Sequence, residues 1–291
     1  MLGAIVGDVL GSSYEFEEMK FDWVLPHNEN LKDIPLFNDD DQFTDDTVLS
    51  LAVADWLLHD IQEDYYDDEK LKIALGKRLV WWMRFYQERE IAYGLSCLDF
   101  FYRAELIQEY VPQSSYGNGS AMRVSPVGWF FDTMEETMRF AKISADATHK
   151  HPEGQKGAMC IAAAIYLARK GSSKDEIRDY LIRAFGYEKL DKGVLDLRKN
   201  YVRACTCQDT VPESVVCFLE SDDYESAVCL AISFGGDTDT MAAMAGGIAE
   251  AYYGQVTPDL FSYAKGKLTS EALELCKEFY KRIKKSDGQN E

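Results

Sequence analysis

Phe43-Thr44-Asp45-Asp46-Thr47-Val48-Leu49-Ser50-Leu51-Ala52-Val53-Ala54-Asp55-Trp56 decides how the chain is read. Val48, Leu51, Ala52 and Trp56 fall at i, i+3, i+4 and i+8, which draws one apolar stripe along a helix. Thr44 stands where a helix N-cap belongs, and Asp45 and Asp46 favour the positive end of the helix dipole. The same period returns at Leu71, Ala74, Leu75, Trp82 and Phe85. It predicts further helices over about Met134–Asp146, Gly157–Lys170, Lys174–Phe185, Ser221–Phe234, Thr240–Tyr253 and Ser270–Lys284. Clean alternation over five or more residues is hard to find, so the fold class is all-α.

Outward from that stretch, 291 residues allow two domains or one large one, and no low-complexity linker or fixed repeat marks a boundary. Charges sum to −19, but 46% hydrophobic and 13% aromatic residues are too many for a disordered chain. An acidic surface disfavours binding of nucleic acid or of an anionic membrane through bulk charge. Seven scattered cysteines without a CxxC pair fit reduced, mostly buried thiols better than disulfides or a zinc site. The longest apolar run, Ala158 to Ala168, is too short to span a membrane, and the start lacks the basic region of a signal peptide, which points to the cytoplasm. The last residues, 286–291, carry no apolar side chain and read as a frayed tail.

Non-helical material is expected at Phe21–Phe43, Gln113–Gly128 and Thr148–Gly154, and chemistry is expected in those loops. The acids at Thr44–Thr47 are explained either as a capped helix start or as an oxygen-rich corner for a hard cation. A second such corner is Ser233-Phe234-Gly235-Gly236-Asp237-Thr238-Asp239-Thr240, where the glycines permit backbone angles closed to other residues. Two acidic corners about 190 residues apart would repel if they met without a cation, so a shared dinuclear site is the economical explanation. Oxygen ligands without cysteine or paired histidine select Mg²⁺, Mn²⁺ or Ca²⁺ over Zn²⁺.

Ser114-Ser115-Tyr116-Gly117-Asn118-Gly119-Ser120-Ala121-Met122-Arg123 is either a surface turn or a loop whose backbone amides, ahead of a helix start, receive a pyrophosphate. Thr148-His149-Lys150-His151-Pro152 holds two of the four histidines, but its HxH spacing lacks a Cys or Glu partner for metal ligation, which leaves a polar loop or a substrate-positioning histidine. At the amino terminus, Gly3, Ala4, Gly7 and Gly11 line one helical face that a neighbouring helix can approach closely. Asp8 interrupts that helix as a buried hydrogen-bonding carboxylate, and Glu15 just beyond is a surface acid or a catalytic acid/base.

Taken together, GAIVGDVLGSSYEF, FTDDT, YGNGSAMRVSPVG, THKHPEGQKGA and SFGGDTDTMAAMAGG resemble, in order, the ADP-ribosylglycohydrolase family. The resemblance spans Gly3 to about Gly254 and implies one domain over 1–285, folded as a compact orthogonal helical bundle around two Mg²⁺ (or Mn²⁺) ions. It implies that Thr44, Asp45 and Asp46 bind the metals from one side and Asp237, Asp239 and Thr240 from the other. It implies that Ser115, Tyr116, Gly117, Asn118 and Gly119 border ADP-ribose, that His149 contacts it, and that Gly235 and Gly236 belong to the substrate site. Glu15 matches a glutamate that closes over the site in the serine- and polymer-cleaving branch, which the GSSYE spelling also resembles.

The implied reaction is hydrolysis at the distal ribose anomeric carbon, releasing ADP-ribose from an arginine or serine side chain or a related conjugate. Positive charge grows on the sugar in the transition state, and Asp46, Asp239 or Glu15 serves as base. The competing readings are a catalytically inactive binding or structural relative, and a dinuclear phosphoesterase acting on a nucleotide.

Overall fold

The computed structural model describes residues 1–15, 34–62 and 65–287. Its helices are α1 (Leu2–Ser12), α2 (Asp45–His59), α3 (Asp68–Phe85), α4 (Leu95–Ile107), α5 (Gly119–Met122), α6 (Ser125–Phe130), α7 (Met134–Asp146) and α8 (Pro152–Arg169). They continue as α9 (Lys174–Phe185), a 3-10 turn (Glu188–Asp191), α10 (Val194–Arg198), α11 (Cys207–Glu220), α12 (Tyr224–Ile232), α13 (Thr238–Tyr253), α14 (Pro258–Lys267) and α15 (Ser270–Asp287). Among the described residues there is no strand, only the isolated bridges Gln113–His149 and Gly117–Thr206, so the all-α expectation holds.

α13 is the centre. Every residue from Thr238 to Ala251 is buried, as expected of a helix without a polar face, and α1, α8, α11 and α12 surround it. Its closest neighbour is α1, and the small residues of the amino terminus are the reason. A Cβ added at Gly3, Gly7 or Gly11 would come within 2.4, 2.2 and 2.5 Å of the backbone oxygens of Gly246, Ala242 and Thr238. Only hydrogen fits there, so the two backbones touch. Tyr224 of α12 adds a hydrogen bond from its hydroxyl to Gly3 O (2.7 Å).

The predicted helices Met134–Asp146 and Lys174–Phe185 match end to end, each with a capping hydroxyl, from Thr133 and Ser173, accepting from a backbone N–H. Several expectations need correction. Gln113–Gly128 holds α5 and the start of α6, and α8 begins at Pro152 because His151 caps it through Nδ1. Helices α4, α11 and α14 were not anticipated. α15 continues to Asp287, so Ser286 and Asp287 are helical; 288–291 and most of Phe21–Phe43 lie outside the described residues. All seven cysteines are free, five of them buried, with Cys97 half-buried and Cys205 exposed. Among the described residues no helix is long and apolar enough to cross a membrane.

Candidate active site

The α2 start is built around Thr44, whose hydroxyl accepts from Asp46 N (3.3 Å) and donates to Asp8 Oδ1 (2.7 Å). Asp8 Oδ2 accepts from Thr44 N (3.0 Å), Thr47 N (3.1 Å) and the Thr47 hydroxyl. Asp8 is thus the buried hydrogen-bonding carboxylate expected from sequence, and it fastens α1 to α2. At the second corner Gly235 and Gly236 take φ of 71° and 78°, and Asp237 becomes the N-cap of α13 without capping it. Its carboxylate instead accepts from Asn118 Nδ2 (2.6 Å), which also reaches Thr210 Oγ1 (3.3 Å).

The two corners meet. Thr240 Oγ1 donates to Asp46 Oδ2 across 3.0 Å. Carboxylate oxygens of Asp8, Asp46 and Asp239 lie within 4.8 Å of one another, and so do those of Glu15, Asp237 and Asp239. Burial, followed by repulsion from neighbouring acids, holds the Asp45, Asp46 and Asp239 carboxyls well above the usual carboxylate range. The same causes push Glu15 up to about 7, against the opposing pull of Arg203 at 3.5 Å, and burial pushes Asp8 to about 6.

A divalent cation fits this arrangement. Asp46 Oδ1 is buried and has no hydrogen-bond partner, although a buried carboxylate oxygen left unmatched is costly. The surrounding donors are carboxylate and hydroxyl oxygens, the set that hard cations take. Asp8 is the poorest ligand of the group because four protein donors already occupy it.

Above the acids opens a cavity of about 580 Å³. The structure brings Glu15, Asp45, Asp237, Asp239 and Thr240 to its wall together with Ser115, Gly117, Asn118, Gly119 and His149. Asp46 lies buried, bonded to Thr240, while Thr44 lines a smaller chamber on the other side of Glu15. Tyr116 is half exposed in an adjoining cleft, edge-on to His151. Two placements differ from the simplest picture of the site. Neither Gly235 nor Gly236 lines the cavity: Gly236 packs against Tyr201 and Arg203, and the pair serves the turn that presents Asp237. The glycine loop also offers fewer amides than its spacing suggests, since Gly117 N donates to Ser115 Oγ (3.2 Å) and Asn118 N to Cys205 O (3.1 Å). Sequence reasoning gave no role to Tyr93, Cys97, Arg203 or Cys205, which complete the wall, and no local pattern announces them.

A family model described as ADP-ribosylglycohydrolase matches residues 1–288. The chain belongs to the ADP-ribosylglycohydrolase family. This ADP-ribosylglycohydrolase is 27% identical to the Homo sapiens protein named ADP-ribosylhydrolase ARH3, over 87% of the chain and 84% of that protein. It is 25% identical to ADP-ribosylarginine hydrolase Tri1 of Pseudomonas putida (strain GB-1), over 87% of the chain and 69% of that protein. A solved chain described as an ADP-ribosylglycohydrolase-related protein complex shares the fold, with a TM-score of 0.68 over 97% of both chains at 22% identity. Family and relatives make this ADP-ribosylglycohydrolase a glycosidic-bond hydrolase acting on ADP-ribosyl groups.

Proposed function

We propose that the enzyme releases ADP-ribose from modified protein side chains, arginine or serine, by cleaving the bond at the distal ribose anomeric carbon. We also propose two Mg²⁺ (or Mn²⁺) ions, held by Thr44, Asp45 and Asp46 on one side and Asp237, Asp239 and Thr240 on the other. One observation carries this reading: the two acidic corners converge, with Asp46 Oδ1 partnerless, beside a cavity of about 580 Å³. That volume lies in the range of about 300–1,000 Å³ usual for small-molecule sites. When bound, the cations supply positive charge against the acids and Lewis acidity toward the sugar.

The chain's own residues do the rest. Glu15 faces the cavity beside Asp237 and Asp239, where it serves as acid to the leaving group or base to water. The carboxylate of Asp239, on the cavity wall, offsets the positive charge that grows on the sugar. Asn118 holds Asp237 in place. His149 and the glycine loop border the ligand, and the cytoplasm is the compartment that suits free thiols.

The test is a panel of ADP-ribosylated arginine and serine peptides incubated with enzyme and Mg²⁺. Free ADP-ribose is the expected product, and Asp237→Ala is expected to lose at least about 100-fold in rate, as ligand-shell substitutions do. AMP as product would reassign the site to a phosphoesterase, and tight binding without product would make it a binding protein.

A further inference from the structure

His149 is held in a way that decides which of its nitrogens carries the proton. Arg123, only 2% exposed, runs beneath the glycine loop and lines the cavity floor with His149. Its Nη2 donates to Ser144 O (2.7 Å) and to Thr148 Oγ1 (2.7 Å). The Thr148 hydroxyl lies 2.6 Å from His149 Nδ1. A guanidinium has hydrogens and no acceptor, so Thr148 Oγ1 must accept from Arg123. The hydroxyl's single hydrogen then needs an acceptor, and among the described residues the remaining partner at hydrogen-bond distance is His149 Nδ1. Were Nδ1 protonated instead, the hydroxyl hydrogen would be stranded between two donors in a buried place.

We propose that Arg123 and Thr148 are positioning residues that fix His149 as the neutral tautomer protonated at Nε2, making that N–H a standing donor to an oxygen of the bound ADP-ribosyl ligand. The ligand half of this inference rests on the function proposed above. The ring's free edge points the right way: Cβ atoms placed on Gly117 and Gly119 would lie 3.7 and 3.5 Å from Nε2, so the edge faces the glycine loop that borders the cavity. The backbone beneath is pinned by His149 N to Ala145 O (2.7 Å) and by the bridge between Gln113 and His149, with Gln113 N on Thr148 O (3.1 Å) and Lys150 N on Gln113 O (2.8 Å). Burial, with Arg123 nearby, lowers the imidazole to about 3, so the ring stays neutral at working pH and does not compete with Glu15 as a proton carrier. Since the amides of Gly117 and Asn118 are committed within the protein, a fixed imidazole N–H supplies a donor in their place.

The experiment is nitrogen NMR of the full chain with labelled histidine, the His149 signals assigned by their loss in His149→Gln. In the wild type, Nε2 is expected in the protonated range and Nδ1 in the unprotonated range, before any substrate is added. Thr148→Val is expected to mix the two tautomers and to raise KM for the peptide substrate about tenfold, the worth of one hydrogen bond, with kcat and Mg²⁺ affinity near wild type. Thr148→Ser is expected to restore both readings, which a purely structural role for the methyl group would not do. Should Thr148→Val fail to fold, the wild-type spectrum and the serine variant still decide. A wild-type spectrum with Nδ1 protonated overturns the inference even in an active enzyme, as does Thr148→Val with an unchanged tautomer and KM. A wild-type protein inert on every ADP-ribosyl substrate overturns the ligand half together with the proposed function, while the spectrum alone decides the tautomer.

Discussion

The seam between α1 and α13 and the acid cluster beside its end share those two helices, the cluster adding the start of α2, and obey opposite rules. In the seam, glycines let two backbones touch, and the burial of apolar neighbours such as Ile5, Val9 and Met241 stabilises the contact. In the cluster, carboxyls are buried against one another and Asp46 Oδ1 has nothing to bond to. The seam holds the fold; without a cation the cluster opposes it. Stability and chemistry can therefore be perturbed separately, although the residues are neighbours along each helix.

The largest effect is expected from Gly7→Val. Its Cβ would stand 2.2 Å from Ala242 O, a backbone atom that cannot move aside, so the expected outcome is loss of folded protein, read as the absence of a cooperative melt. A wild-type melting curve would mean that the seam is not a close backbone contact. Asp46→Asn should do the reverse. It replaces an acid whose ionisation is opposed by burial and by its acidic neighbours and keeps an acceptor for Thr240, so metal-free protein at about pH 8 is expected to resist urea better than wild type, while Mg²⁺ no longer stabilises it. A variant less stable than wild type without metal would break the contrast drawn here.

The smallest effect is in pH. Glu15 at about 7 sits above its ordinary value of 4.5, and Asp8 at about 6 above 3.8, so the folded state keeps protons that the unfolded chain has released. Stability from this source is full below the unfolded values and is lost as pH rises through about 6 to 7. Metal-free enzyme is therefore expected to melt about 2–4 °C lower at about pH 7.5 than at about pH 5.5, and Mg²⁺ to raise the melting temperature more at the higher pH. A metal-free melting temperature that rises with pH would show that the acids are not raised.

How much was legible in the sequence follows the same division. The acids, their corners and the small-residue face could be read because each is local: cap, dipole, glycine spacing and helical period lie within a few residues. α7 and α9 could be read end to end for the same reason. α11 could not, because Pro212 signals a break inside it. The structure tolerates that proline by giving the Gln208 carbonyl, four residues earlier, a different donor: Lys189 Nζ at 3.3 Å. α4 was hidden for another reason: Leu95, Leu106 and Ile107 are exposed, so its apolar residues do not trace a buried stripe. The cavity wall at 92–97, Arg203 and Cys205 is recruited by tertiary packing from residues whose chemistry gives no sign of it. The Arg123–Thr148–His149 chain lies within motifs read from sequence, yet its hydrogen-bond order appears only when the two loops are side by side.

α1 is gripped on both sides, by Asp8 at the start of α2 and by backbone contact along α13. The acidic groups at 44–47 and 237–240 are consequently carried against one helix, which ties the two corners together. Adaptation to a new conjugate is left to the rim, where Leu95 stands bare to solvent. An engineer changing the enzyme's taste should rewrite that edge and leave the helix alone.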